Sequence, residues 1–388
     1  MLKSIQKIKR KIAYFTGTRA DFGLMTSILE ALDKSEHFSL QIFATGTHLM
    51  PRFGKTIAEV QKLFPTTKQL PATLKGDNST SVANFISHLL PQVIRGLHVY
   101  EPDIVLTLGD RPEMLCVAIA CWYLGIPTAH IHGGDKSMTV DDSSRHAITK
   151  LSHLHFPATK ESARRITKLG EETWRIHTIG APALDQILHA SLPNRVQLCR
   201  NLGLDPGKKF ILLTQHPVSE ALNQARKQIR ETIAAIKKFG LPIVAIYPHP
   251  DPGGRKIIAE IDKEKKNNLW RIFPTIDHAN FLALEREAAV WVGNSSAAMI
   301  ESASFHTPVV MVGLRQQGRL CGKNVISVYY DRRKIIFAIT KSLNDITYLK
   351  KLARIENPWG DGHAAEHLTR ILKHVPIDNR LLHKQITY

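Results

Sequence analysis

The chain is short of acids. Against 52 lysines and arginines stand 34 aspartates and glutamates, a formal net charge of +18, so any gathering of acids calls for a reason. Cysteine is scarcer still: Cys116, Cys121, Cys199 and Cys321 show no CxxC spacing and lie mostly in apolar context, which argues for free buried thiols and a reducing cytoplasm rather than a disulfide framework. No window approaches the roughly 20 apolar residues of a membrane span, and IAYF near the N-terminus is too short for a secretory core, so no membrane partner is expected. GxGxxG is absent, so the nicotinamide fingerprint fails. Asp and His never fall at the ligand spacing of a known metal site. The expectation is therefore no cofactor and no metal. Internal repeats and low-complexity tracts are also missing.

What is plentiful is positive charge, and it favours anionic partners such as nucleic acid or a phosphorylated small molecule. The basic runs Lys7–Lys11, Lys263–Lys266 and Lys350–Arg354 are short and carry no interleaved aromatics. They read as solvated faces, and no nucleic acid is expected as partner; a basic nucleic-acid-binding protein remains the alternative from a different class.

A chain of 388 residues is long for one core, so two domains are the default. Strand-like runs alternate with amphipathic segments: IAYFTG, LQIFATG, DIVLTLGD, PTAHIHGG, LHFPAT and RIHTIG in the first half, FILLTQHP, PIVAIYPHP, LWRIFP, AVWVGNSS and PVVMVG in the second. Helical patterns span about Asp21 to Lys34 and Ser79 to Tyr100, and another begins near Ser143. The Pro/Gly-bearing stretch 191–209 reads as a linker, and a last helix spans Gly362 to about His374. This alternation predicts an α/β protein of two Rossmann-like domains facing a cleft, residues 1–190 and 205–361. In such sheets ligands sit beyond the carboxyl ends of the strands, and the polar clusters fall there.

Six of those ends carry chemistry. GTRADFG places Arg19 and Asp21 at a helix start, where Asp21 also suits an N-cap. LGDRPE brings Asp110 and Arg111 together, a pair able to neutralise itself. HIHGGDKSMTVDDSSRHAITK concentrates Asp135, Asp141 and Asp142; Asp142, Ser143 or Ser144 can be a plain N-cap, but clustered carboxylates also raise one another's pKa values, which suits proton transfer. TQHP puts His216 at a strand end. GNSSAAMIE has two serines opening a helix, an arrangement that binds phosphate without a Walker lysine, with Glu301 nearly two turns along for a ribose diol. VGLRQQGR adds Arg315 and Arg319.

Taken in order, GTRADFG, TGTHLMPRFGKT, PDIVLTLGDRPEML, HIHGGDKSMTVDDSSRHAITKLSHLHF, GNSSAAMIE, RQQGRLCGKNVISV and NPWGDGHAAE resemble the hydrolysing UDP-N-acetylglucosamine 2-epimerases of sialic- and legionaminic-acid-type sugar synthesis. The resemblance implies a glycosyltransferase-B-like fold whose C-terminal helix, within 362–388, returns to the first domain, and a homo-oligomer. It implies elimination of UDP to a 2-acetamidoglycal and hydration to the free 2-epimer, N-acetylmannosamine or a relative. It places Ser295 and Ser296 on the diphosphate and Glu301 on the ribose. Arg19, Arg111 and Arg315 become further nucleotide contacts, His216 a histidine near the diphosphate and His48 a sugar-pocket histidine. Asp110, Asp135 and Asp142 become the proton-transfer acids, with base and acid undivided. The non-hydrolysing epimerase is the nearest alternative. Three positions depart from the family pattern: Asp135 where Glu is usual, Pro112 where an aromatic is common, and Met138 where a small residue is typical. Asp for Glu retracts a carboxylate by about 1.5 Å, one C–C bond.

Overall fold

The computed structural model of the chain describes residues 9–51, 55–72, 79–136, 141–189, 191–218, 222–248 and 253–388. Met138 lies outside them. Among the described residues twelve strands form two sheets. The first takes β1 (Arg10–Thr16), β2 (Phe38–Ala44), β3 (Lys68–Gln69), β4 (Ile104–Leu108), β5 (Thr128–Ile131) and β6 (Leu154–Phe156); the second takes β7 (Ile211–Thr214), β8 (Ile243–Ile246), β9 (Trp270–Phe273), β10 (Val290–Gly293), β11 (Val309–Val312) and β12 (Val325–Val328). Their orders are β3-β2-β1-β4-β5-β6 and β12-β11-β10-β7-β8-β9, with every pairing parallel. Numbered within its own sheet, each has the doubly wound order, with a switch point between its first and fourth strands. Continuous apolar runs such as IVLTL and VVMV are buried along their whole length, as strands covered on both faces must be.

The chain divides into two compact units, Met1–Gln186 with Trp359–Tyr388, and Ile187–Pro358. Helices α1 (Arg19–Lys34), α2 (Ile57–Leu63), α3 (Ser79–Tyr100), α4 (Pro112–Leu124), α5 (Asp141–Leu151), α6 (Lys160–Lys168) and α7 (Ala183–His189) accompany the first sheet. The second unit contributes α8 (Arg195–Leu202), α9 (Ala225–Ile236), α10 (Gly254–Ile261), α11 (His278–Glu287), α12 (Ala297–Ile300), α13 (Arg332–Asn344) and α14 (Ile346–Leu352). After these the chain re-enters the first unit with α15 (Ala364–His374) and α16 (Asn379–Leu382). Leu368 and Leu372 of α15 join Met25, Ile28 and Leu29 of α1 in one core, so the returning helix is a structural part of that unit. The Asp185 carboxylate accepts from the amides of Ala364 and Ala365 at 2.8 and 2.7 Å, capping α15 from a remote segment. Among the described residues no helix is long and apolar enough to cross a membrane.

Three expectations change. RIHTIG is not a strand: its ladder pairing among the described residues is a single His155–Ile176 bridge, and Arg175 is spent on Glu172 and on the carbonyls of Arg380 and Leu381. The stretch read as a linker holds α8, started by a reciprocal Asn194–Gln197 capping box and ended by Gly203 in the left-handed region. Finally, Asp141 and Asp142 lie within α5, which puts the acid pair inside the helix rather than before it.

Candidate active site

In the first unit the carboxyl ends of β1, β4 and β5, neighbours at the switch point, carry the polar cluster. Gly17 and Gly46 leave room there for the Glu113 side chain: a Cβ on Gly17 would lie 2.6 Å from Glu113 Oε1. Glu113 is buried and accepts from Arg111 Nε and Nη2 at 3.1 and 3.0 Å. Asp21 is the N3 member of the Thr18 capping box and accepts from the amides of Gly17 and Thr18, so its place is structural. Arg19 is exposed and paired with Glu59 at 3.0 Å.

His48 is fully buried, with Nε2 2.9 Å from Thr16 Oγ1 and Nδ1 2.8 Å from Thr56 Oγ1. Thr16 gives its proton to Asp21 and so accepts from the imidazole. Burial brings the His48 pKa down to about 4, and the ring stays neutral. His130 is similar: its nitrogens meet Gly109 O and Thr149 Oγ1, and burial lowers it to about 3.

Arg145, on α5, is the hub. Its guanidinium donates to the carboxylates of Asp110 and Asp142 and, at 2.9 Å, to the carbonyl of Asp135. All three acids expected from the sequence are therefore gathered around one buried cation, and their environments differ. Burial raises the pKa of Asp110, with Arg145 opposing and Asp141 adding to the rise. Burial also acts upward on Asp135, but hydrogen bonds from His132 and Ser162 and the charge of Arg145 outweigh it and leave the carboxyl below its ordinary value. Sequence reasoning missed His132, whose Nδ1 lies 2.8 Å from Asp135 Oδ2, and Ser162, whose Oγ donates to Oδ1 at 2.6 Å. A histidine three residues before an acid, across a Gly-Gly turn, was the available signal for the first.

In the second unit β7 and β10 run side by side. Gly293, at φ +143, lies so close to β7 that a Cβ would sit 1.9 Å from Thr214 O. The Asn294 side chain then clasps the backbone of His216, accepting from its amide at 2.6 Å and donating to its carbonyl at 2.9 Å. Arg315 Nη1 donates to the Asn294 carbonyl at 3.1 Å. His216, Ser295, Ser296 and Arg315 thus share one end of this sheet. Ser296 makes no side-chain cap bond. The helix it opens is one turn, Ala297–Ile300, and Glu301 is its C-cap, followed by a 3-10 turn; the two-turn helix expected from the sequence is not formed. Behind Glu301 lies Glu285, fully buried, with both carboxyl oxygens lacking a donor. Burial pushes Glu301 up to about 7 and Glu285 well above the carboxylate range, the charge of Glu301 adding to the rise in Glu285. Among the described residues no group of three His, Cys, Asp or Glu side chains is arranged to hold a metal.

The family model described as UDP-N-acetylglucosamine 2-epimerase matches residues 30–373. A UDP-N,N′-diacetylbacillosamine 2-epimerase (hydrolyzing) of Legionella pneumophila is 38% identical over 98% of this chain and 100% of its own. A GDP/UDP-N,N′-diacetylbacillosamine 2-epimerase (hydrolyzing) of Campylobacter jejuni is 33% identical over 82% of this chain and 84% of its own. The crystal structure of the UDP-GlcNAc 2-epimerase from Neisseria meningitidis bound to UDP-GlcNAc superposes with a TM-score of 0.79 at 20% identity, covering 93% of this chain and 99% of that one; it shares the fold.

Proposed function

We propose that this chain, which belongs to the UDP-N-acetylglucosamine 2-epimerase family, is a hydrolysing nucleotide-sugar 2-epimerase: it eliminates UDP from a UDP-linked 2-acetamido sugar and hydrates the 2-acetamidoglycal to the free 2-epimer. The observation that carries this reading is the gathering of three acids around Arg145, Asp110 and Asp142 through their carboxylates and Asp135 through its carbonyl, with the Asp110 carboxyl raised and the Asp135 carboxyl lowered. Inversion at C2 requires that a proton leave one face of the sugar and another return to the opposite face. Two groups held on opposite sides of their usual pKa suit those two tasks.

In this reading Asp110, Asp135 and Asp142 manage the protons and His48 supports the sugar pocket. Ser295, Ser296, Glu301 and Arg315 hold the nucleotide, with Arg19, Arg111 and His216 as further contacts. Both curated relatives are named for N,N′-diacetylbacillosamine, so UDP-N,N′-diacetylbacillosamine is the first substrate to try and UDP-N-acetylglucosamine the second. Asp135 in place of the usual Glu favours a sugar other than N-acetylglucosamine. The product would feed a nonulosonic acid of the sialic or legionaminic type, made in the cytoplasm by a homo-oligomer.

The test is incubation with both UDP-sugars and a GDP-sugar, with nucleotide release followed by coupled assay and product by NMR. Free 2-epimer plus UDP is expected. Absence of nucleotide release from every sugar would sink the reading. A 2-epimerised but still nucleotide-linked product would move the chain to the non-hydrolysing branch.

A further inference from the structure

We propose that the His132 imidazole is the base that removes the C2 proton, and that Asp135 acts through it as a positioning residue. The inference rests on the epimerase reading above and divides roles that reading leaves joined.

Asp135 has little left to offer a substrate. Its side chain is 8% exposed, and its two oxygens are taken, one by Ser162 at 2.6 Å and one by His132 at 2.8 Å. His132 is the reverse case. Its Nδ1 is tied to the carboxylate, its side chain is 12% exposed, and no described residue partners Nε2. A carboxylate on one nitrogen fixes the Nδ1–H tautomer, leaves the Nε2 lone pair as the base and stabilises the imidazolium that forms. The low proton affinity of Asp135 keeps the proton on the ring rather than on the acid.

The backbone holds this pair in place. His132 is the first residue past β5 and sits at φ +60, a region that residues other than glycine seldom occupy. The turn that follows is locked. Gly134, at φ +73, packs against α6 so closely that a Cβ would lie 2.3 Å from Ser162 O, and Arg165 donates to its carbonyl at 3.0 Å. That contact brings Asp135 beside Ser162. Backbone strain stored at a rigid turn, aiming a partnered imidazole, is the form that preorganised sites take. Two guanidiniums flank the turn, Arg165 on the Gly134 carbonyl and Arg145 on the Asp135 carbonyl, and the Trp359 ring stands 6.5 Å from the imidazole centroid. The dyad also gives the departure at position 135 a use. A glutamate would carry its carboxylate about 1.5 Å further, past the span that now joins His132 to Ser162.

In the step itself the C2–H proton passes to His132 Nε2. The C–H electron pair forms the C1=C2 bond of the glycal, and the C1–O bond breaks with its pair leaving on the UDP phosphate. The imidazolium proton is then lost to water before the next turnover.

The experiment measures UDP release and, separately, hydration of added 2-acetamidoglycal, for wild type, His132→Asn, His132→Ala, Asp135→Asn and Asp135→Glu. His132→Asn should lower kcat for UDP release by roughly 10²–10⁴-fold with KM nearly unchanged, and slow glycal hydration far less. Added imidazole should restore part of the His132→Ala rate, a readout that a purely structural histidine would not move. Asp135→Asn and Asp135→Glu should lower kcat and displace the pH limb of UDP release. Release by His132→Asn within about threefold of wild type, no rescue of a folded His132→Ala, or a defect confined to hydration would each overturn the inference while leaving the epimerase reading intact. A wild-type protein that releases no nucleotide overturns that reading and this inference with it.

Discussion

In the first unit four histidines, His48, His130, His153 and His155, lie inside the fold, and burial brings their pKa values down to about 4, 3, 4 and 4. In the second unit the buried titratable pair is acidic, Glu285 and Glu301, and burial moves both upward. The sheets share one topology, and burial does the same thing in each: it favours the neutral form. The difference lies in the partners. The first unit's buried acids have cations or donors, as Asp135 has in Ser162 and His132 and as Glu171 has in Lys150 and Lys384 at 2.7 Å each. Glu285 and Glu301 face one another, and burial holds both above the usual carboxylate range. Depth of burial alone does not set the charge of a site; the donors around it do.

Arg145→Met would weaken that distinction, because Asp110 and Asp142 lose the guanidinium that both now accept from. Removing one partner of a buried ionic cluster costs roughly 3–5 kcal/mol, which urea denaturation of the first unit should read. Nucleotide release should fall by about three orders of magnitude or more, since all three acids lose their common anchor. A variant with wild-type stability would mean that the cluster is solvated rather than built.

The second prediction concerns pH. Below pH 6.5 the unfolded chain protonates the four histidines while the folded first unit excludes those protons; the unfolded state binds more, so stability of that unit falls as pH drops from about 6.5 to 4. Between pH 4.5 and about 7 the folded second unit keeps a proton that the unfolded chain has released. Its stability therefore falls as pH rises through that window, and the raised Glu285 carboxyl adds to the fall. Amide exchange of β1 and β4 against β7 and β10, corrected for intrinsic rates, should show opposite slopes between pH 5 and 7. Parallel slopes would break the comparison.

The sequence was unequally informative about these two settings. Strands were legible because both faces are buried, so VVMV or ILLT needs no partner information to be recognised, and α3 ends where Glu101-Pro102 makes it end. The acids of the first unit were legible because acids are rare and three fell in one loop. His132 escaped because HIH at a strand end looks like β5 continuing, and only the left-handed backbone at His132 turns it out of that role. Glu285 left no trace at all. On an amphipathic helix it reads as a solvated face, and only the packing of α11 against the turn that carries Glu301 makes it buried. Linker composition misled at 191–209, where the Asn194–Gln197 spacing was a helix start in plain view.

Glu285→Gln sharpens the second unit's half of the comparison with a smaller effect. The amide offers a donor toward Glu301 and cannot ionise. At pH 5 the wild-type pair is protonated and little should change. Near pH 8 the variant should be the more stable by about 1–2 kcal/mol, because a buried carboxyl without a donor is replaced by a satisfied group. UDP affinity, measured by calorimetry across that range, should lose part of its pH dependence. An equal effect at both pH values would show that packing, not titration, separates the two proteins.

The smallest effect is expected where an ion pair is present but wet. Arg19 and Glu59 meet at 3.0 Å, yet their side chains are 60% and 49% exposed. Glu59→Gln should therefore change stability by less than about 0.5 kcal/mol, an order of magnitude below Arg145→Met. If Arg19 serves the nucleotide, losing Glu59 leaves the guanidinium freer to meet an anion, so KM should fall slightly or stay level while kcat holds. A large loss of stability in Glu59→Gln would mean that this pair is not the exposed one it is here, and that burial fails to rank ion pairs even within one unit of this protein.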